Sequence, residues 1–240
     1  MQIPFVQGII DRRILINYQI EPNTLAQILP PPFQPKIING VGIAGICLIR
    51  LKHIRPKFIP PILGIASENA AHRIAVQWRD KGQYHEGVYI PRRDTSSILN
   101  TLIGGKVFPG THHHAIFNVR EQENDFQVTL SSDDGKTHVA IDAHLSNYLS
   151  KSSIFPTLHD ASKFFETGSL GYSATTQVGK YDGLELRSFN WHIEPLAVRK
   201  VASSFFDDET LFPKGTINFD CALLMRDIEH EWHATETFCS

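Results

Sequence analysis

The chain has 240 residues, 42% of them hydrophobic and 20% charged, with 23 Lys and Arg against 25 Asp and Glu for a formal charge of −2. A near-neutral balance leaves no cationic footprint for a polyanion and argues against nucleic acid as a partner. The length suffices for a sizeable core, and because all-β barrels reach roughly 250 residues as one unit, the lack of repeats or linkers predicts one domain over residues 1–240.

The opening MQIPFVQGIIDRR has no positive segment ahead of an apolar stretch and does not read as a secretory signal. Arg13–Ile20 reads as strand. A helix is predicted from Glu21-Pro22, with proline in the first turn. It carries Leu25, Ile28 and Leu29 on one face and stops at Pro30-Pro31-Pro32. Gly40-Val41-Gly42-Ile43-Ala44-Gly45 matches GxGxxG letter for letter. A dinucleotide site needs a strand before that motif and a helix after it. Here a Pro-rich segment precedes and Ile43–Ile54 reads as strand, so the glycines mark close backbone packing. Val41–Leu51 is the most apolar early stretch. It is broken by Gly42, Gly45 and Arg50 and is far short of the ~20 residues that span a bilayer. The expectation is a soluble, cytoplasmic protein with no membrane partner.

Ala71–Trp78 and Gly87–Ile90 read as strands around the turn Asp80–Gly82. A second helix is predicted from Asp94 or Thr95 as N-cap, through Ile98, Leu99, Leu102 and Ile103, to Gly104-Gly105. Arg92-Arg93 at its start suits either an anionic ligand or a solvated turn. Strands follow at Ala115–Glu121, Phe126–Ser131 and His138–Leu145. The third helix starts at Thr157, with Asp160 completing a capping-box-like pair. It carries Ala161, Phe164 and Phe165 and ends at Gly168. Leu184–Ile193 and Thr216–Met225 complete the strands. Many strands and few helices define an α+β, mostly β fold: an antiparallel sheet or barrel with helices outside.

Three motifs bear on metal and redox chemistry. Glu229–His233 reads HExH, one residue short of the HExxH that places two zinc ligands on one helix face. His112-His113-His114 could hold a divalent ion through two histidines at i,i+2, but no third ligand is assignable, and no metal is placed in the site. Cys47, Cys221 and Cys239 are odd in number and form no CxxC, which disfavours a disulfide framework and fits a reducing compartment. No GxSxG elbow and no P-loop occur.

Four blocks, in order across most of the chain, carry a resemblance. Tyr18–Phe33, YQIEPNTLAQILPPPF, resembles the N-terminal strand and helix of acetoacetate decarboxylase. Ala66-Ser67-Glu68-Asn69 resembles that family's Thr-Glu-Ser site, where a glutamate lines the active centre. Gly87–Ile90 and the helix after it resemble the elements leading to the catalytic stretch, aromatic-Pro-Lys-Lys. Phe212–Leu223, FPKGTINFDCAL, resembles the family's last strand. The resemblance implies a closed antiparallel β-barrel with a few external helices, a small carbonyl or carboxylate ligand and a tendency to form homo-oligomers. It implies no cofactor.

The departures concern the chemistry. Phe108-Pro109-Gly110-Thr111 stands where the family keeps its lysine pair. Schiff-base catalysis needs an amine with a lowered pKa, and glycine and threonine supply none. The family's early arginine falls opposite Asp11, one residue from Arg12, and its second glutamate, near Gly45, has no counterpart. Glu68 carries over. If Thr111 faces inward as the lysine does, so do His113, Ala115 and Phe117, with His112 and His114 outward. Glu68 and His113 are then the candidate acid–base pair, and Thr111, Arg92 and Arg12 the candidate ligand contacts. The expected function is binding of a small carbonyl or carboxylate compound without Schiff-base decarboxylation. The alternatives are a lysine-independent lyase or isomerase using Glu68 and His113, and a metal-dependent enzyme using the histidine run.

Overall fold

The computed structural model describes residues 5–103, 110–235 and 237–239. In chain order the elements are β1 (Phe5–Ile20), α1 (Pro22–Ile28), β2 (Gln34–Pro35), β3 (Ile37–Ile38), β4 (Val41–Pro56), β5 (Ile65–Asp80) and β6 (Gln83–Thr95). Next come α2 (Ile98–Ile103), β7 (His112–Gln122), β8 (Asp125–Ser132), β9 (His138–Leu145) and α3 (Leu158–Thr167). The chain closes with β10 (Leu170–Ala174), β11 (Lys180–Ser188), β12 (Glu194–Ser203), β13 (Ile217–Ala234) and β14 (Phe238–Cys239). The architecture is mostly β, and the strands form one fourteen-stranded sheet.

From β5 the pairings run through β6, β7, β8, β9, β12, β13, β1 and β4 and return to β5. β10 and β11 make a second bridge, from β6 to β13. The expected all-antiparallel order is corrected at two places: β6 runs parallel to both β7 and β10. Both strands reach β6 after helical connections, which let the chain return in the same direction.

Strands β1, β4, β5 and β13 are apolar on both faces, because both faces are covered. Ile14, Ile16, Tyr18 and Ile20 of β1 join Ala44, Ile46 and Leu48 of β4 in one core. The alternate residues Leu15, Ile43 and Cys47 join Leu223 and Met225 in a second core, under Phe155, Ala161 and Phe165. Fully burying one such side chain is worth about 1.5–3 kcal/mol.

Gly45 explains the GxGxxG match. It sits inside β4, and a Cβ there would fall 2.0 Å from the Ile16 carbonyl oxygen. The glycines admit close strand packing, and no helix follows them.

The helices follow local rules with one correction. α1 ends before the prolines. α3 is capped by the Thr157 hydroxyl, which accepts from the Asp160 N–H at 3.1 Å, and ends at Gly168. α2 begins only at Ile98, because Asp94 and Thr95 still belong to β6. The Ser97 hydroxyl accepts from the Asn100 N–H at 3.2 Å and supplies the cap. Its expected glycine terminus, with Lys106, Phe108 and Pro109, lies outside the described residues. The strand expected over Leu184–Ile193 stops at Ser188. There the Asn190 side chain ties a turn to β13, donating to the Asp227 carbonyl and accepting from the Glu229 N–H, both at 3.0 Å.

Candidate functional site

The five residues expected to form the site lie on β1, β5, β6 and β7 or beside them, and four of them split into two ion-pair clusters. Arg12 is 1% exposed. It donates to Glu68 and to Glu121 at 2.5 Å each. Arg50 donates to the other Glu68 oxygen at 2.6 Å. Both Glu68 oxygens are thus occupied by guanidinium groups. In the second cluster, Arg92 forks onto Asp94 at 2.8 Å and onto Asp134 at 2.9 Å. His113 Nδ1 lies 3.4 Å from Asp134. Thr111 is exposed. Glu68 and His113 share no hydrogen bond.

A cavity of about 380 Å³ lies on the other side of the same strands. β1, β4, β5 and β6 form its wall through Arg13, Cys47, Asn69, Arg73 and Arg93. His112 of β7, Phe165 of α3, Gly171 of β10, Leu184 and Leu186 of β11, Trp191 and Trp232 complete it. None of the five expected residues lines it, yet Arg13, Asn69, Arg93 and His112 are their immediate chain neighbours. Adjacent strand residues point to opposite faces, so a site one residue away is a site across the sheet.

Four guanidinium groups line this cavity: Arg187 pairs with Glu185, while Arg13, Arg73 and Arg93 have no carboxylate partner within 4.0 Å among the described residues. Arg13 Nη2 donates to Cys47 Sγ at 3.5 Å. Arg73 Nε donates to the same sulfur at 3.1 Å, while its Nη2 donates to Asn17 Oδ1. The Arg73 guanidinium stacks over Phe165 at 4.9 Å. Arg93 Nε donates to Ser173 Oγ at 3.3 Å, and its Nη2 is buried without a partner among the described residues. The nearby carboxylates do not neutralise them. Asp94 is held by Arg92, Glu185 by Arg187 at 2.7 Å, and Glu166 is exposed on α3 with no ion pair among the described residues.

The electrostatics follow from burial. Burial pushes Arg93 down to about 10 and lowers Arg73 as well, against the opposing pull of Cys47. Burial, then Arg93, push His112 down to about 3, so its imidazole is neutral at pH 7. Burial raises the Cys47 thiol, but Arg13 and Arg73 outweigh it and leave the thiol below its usual value. Among the described residues no group of three His, Cys, Asp or Glu could hold a metal ion. The HExH histidines lie on β13, where His230 is buried and His233 bonds Glu231 at 2.9 Å.

Sequence reasoning missed Arg13, Cys47 and Arg73, and left Arg93 unchosen beside Arg92. The available signal was charge inside strands that are apolar on both faces, as in Ala70–Val76. Such a charge needs a partner or a purpose.

This fold has solved counterparts. It superposes on acetoacetate decarboxylase from Legionella pneumophila with a TM-score of 0.60 at 13% identity, covering 98% of this chain and 88% of that one. It superposes on the enduracididine biosynthesis enzyme MppR complexed with pyruvate at 0.59 and 9%, covering 100% and 91%. For an acetoacetate decarboxylase-like enzyme from Sphingomonas wittichii RW1 the values are 0.58 and 9%, covering 98% and 92%. The molecule therefore has the acetoacetate decarboxylase-like fold. Residues 10–216 match the family of uncharacterised conserved proteins DUF2071, and the chain belongs to that family. No curated protein matches it.

Proposed function

We propose that this chain binds a small carboxylate or oxo acid in the cavity, through Arg13, Arg73 and Arg93, and without a Schiff base. The observation that carries this reading is three cavity-lining arginines with no carboxylate partner. A buried cation without a counter-ion costs several kcal/mol, and a bound anion offsets that cost. The cavity volume lies within the usual range for small-molecule sites, roughly 300–1,000 Å³. The neighbour complexed with pyruvate supports the same ligand class. Residues 1–240 are taken as one domain, and the ring of strand pairings as a closed barrel; the continuous sheet supports both.

The non-Schiff-base half rests on positions 110 and 111, where Gly110 and Thr111 stand in place of the family's lysine pair and carry no amine. No lysine is among the described residues lining the cavity. The lyase reading centred on Glu68 and His113 draws no support from their placement in separate clusters. No helix among the described residues is long and apolar enough to cross a membrane.

Thermal unfolding with pyruvate and with its neutral amide tests the binding half. The acid should raise Tm, the amide should not, and Arg93→Met should abolish the rise. Equal shifts by both compounds would sink the anion reading. Borohydride reduction in the presence of pyruvate should trap no adduct. A trapped lysine, with Lys106 examined first, would overturn the non-Schiff-base half.

A further inference from the structure

We propose that Cys47 is the nucleophile of this cavity and adds reversibly to the carbonyl carbon of a bound oxo acid. This rests on the anion-binding reading above. The backbone register sets Cys47 in a row: it pairs with Ala71 of β5, which pairs with Arg93 of β6, which pairs with His112 of β7. Arg13 and Arg73 are its diagonal neighbours, on β1 and β5. Adjacent strands are about 4.8 Å apart, so Cys47 and Arg93 sit roughly 10 Å apart at the backbone, with only the Ala71 methyl between them. That gap fits a small acid with its carboxylate at Arg93 and Arg73 and its carbonyl at the sulfur.

Two observations beyond the cysteine point to such a ligand. Arg73 is 5% exposed, and its Nη1 makes no hydrogen bond among the described residues although the side chain lines the cavity. Arg93 Nη2 is buried with no partner among the described residues. The sulfur's own contacts suit attack. Both are guanidinium donors, at 3.1 and 3.5 Å, and neither can accept a thiol proton. Thiolate is the nucleophilic form. Cys221 is the internal contrast: burial and then Asp220 push its thiol well up.

The chemistry balances without a cofactor. The thiol releases its proton to solvent, the sulfur electron pair then forms the C–S bond, and the carbonyl π pair moves to oxygen. That oxygen takes a proton from solvent to give a hemithioketal. Nothing is oxidised or reduced, and reversal releases the acid.

Pyruvate labelled with carbon-13 at the carbonyl, followed by NMR, tests this. A protein-dependent tetrahedral-carbon signal, distinct from free hydrate, is expected in the wild type. It should vanish in Cys47→Ser, whose Tm pyruvate should still raise. A Tm rise in the wild type without that signal overturns the covalent step and leaves the binding reading intact. Neither effect overturns both. A second measurement needs no variant: alkylation followed by peptide mass. Iodoacetate at pH 7 should label Cys47 at least about tenfold faster than iodoacetamide, with Cys221 unlabelled. Equal rates with the two reagents overturn the anion reading. Labelling of Cys47 no faster than Cys221 overturns the nucleophile.

Discussion

At the scale of single residues, the arginines of the cavity are costly to the fold. Arg93 is held by one serine, and burial depresses its pKa to about 10. Its Nη2 is buried, and replacing a half-buried cation that has no counter-ion among the described residues by an apolar side chain of similar length removes a desolvation penalty. Arg93→Met should therefore raise unfolding stability by about 1 kcal/mol or more while losing anion binding, the trade-off expected of a site kept for function. Denaturant unfolding and ligand titration of the same variant check both halves. A variant that is less stable yet still binds pyruvate would identify Arg93 as structural. Arg12 should behave oppositely. It bridges Glu68 and Glu121 from a fully buried position, and although Arg50 still pairs with both carboxylates, Arg12→Met removes two charge-assisted hydrogen bonds and should cost roughly 1.5–3 kcal/mol.

At the scale of elements, most of the pattern was legible. α1 and α3 were readable because proline and Thr157 set their ends, and β9 because alternation and turn residues bounded it at both sides. β10 was not, since five residues containing a glycine carry little periodic signal. β12 was not read at all, and the strand read over Leu184–Ile193 ran past the end of β11 because the turn at Asn190 is held by β13, a contact distant in sequence. The site was misplaced for a related reason. Alternation separates the two faces of a strand, but it does not say which face meets a cavity when both are covered. The register of β5 with β6 also shifts between His72 and Ile74, which sets Arg92 and Arg93 on faces that no local rule assigns. Two substitutions probe the elements around the cavity. Gly45→Ala should prevent β1 and β4 from closing, because its methyl would meet backbone. Loss of the cooperative unfolding transition is the expected outcome. Thr157→Ala removes the α3 cap and should cost about 1 kcal/mol. Since Phe165 of α3 lines the cavity, it should also weaken pyruvate binding, measured by calorimetry.

At the scale of the whole molecule, acid stability reports on three histidines, His72 and His230 buried and His112 half-buried. Burial lowers His72 and His112 to about 3 and His230 to about 4. These folded values lie below the unfolded value near 6.5. Their contribution is therefore complete above that pH and is lost as pH falls from 6.5 toward 4 and below. At pH 5 each accounts for on the order of 2 kcal/mol, a large share of the 5–15 kcal/mol typical of a domain. Tm should fall steeply between pH 6.5 and pH 4. His72→Phe should relieve part of that fall, since its ring packs against Phe205 and Phe206 and neither nitrogen has a partner among the described residues. A Tm unchanged across that range would contradict the burial of these groups as neutral imidazoles. If a small organic anion occupies the cavity between the sheet and α3, a crystal structure of the protein grown with saturating pyruvate should reveal it. The expected result is a carboxylate within hydrogen-bonding distance of Arg73 and Arg93. Pyruvate bound instead at the Arg12–Glu68 cluster, or an empty cavity at saturation, would contradict it.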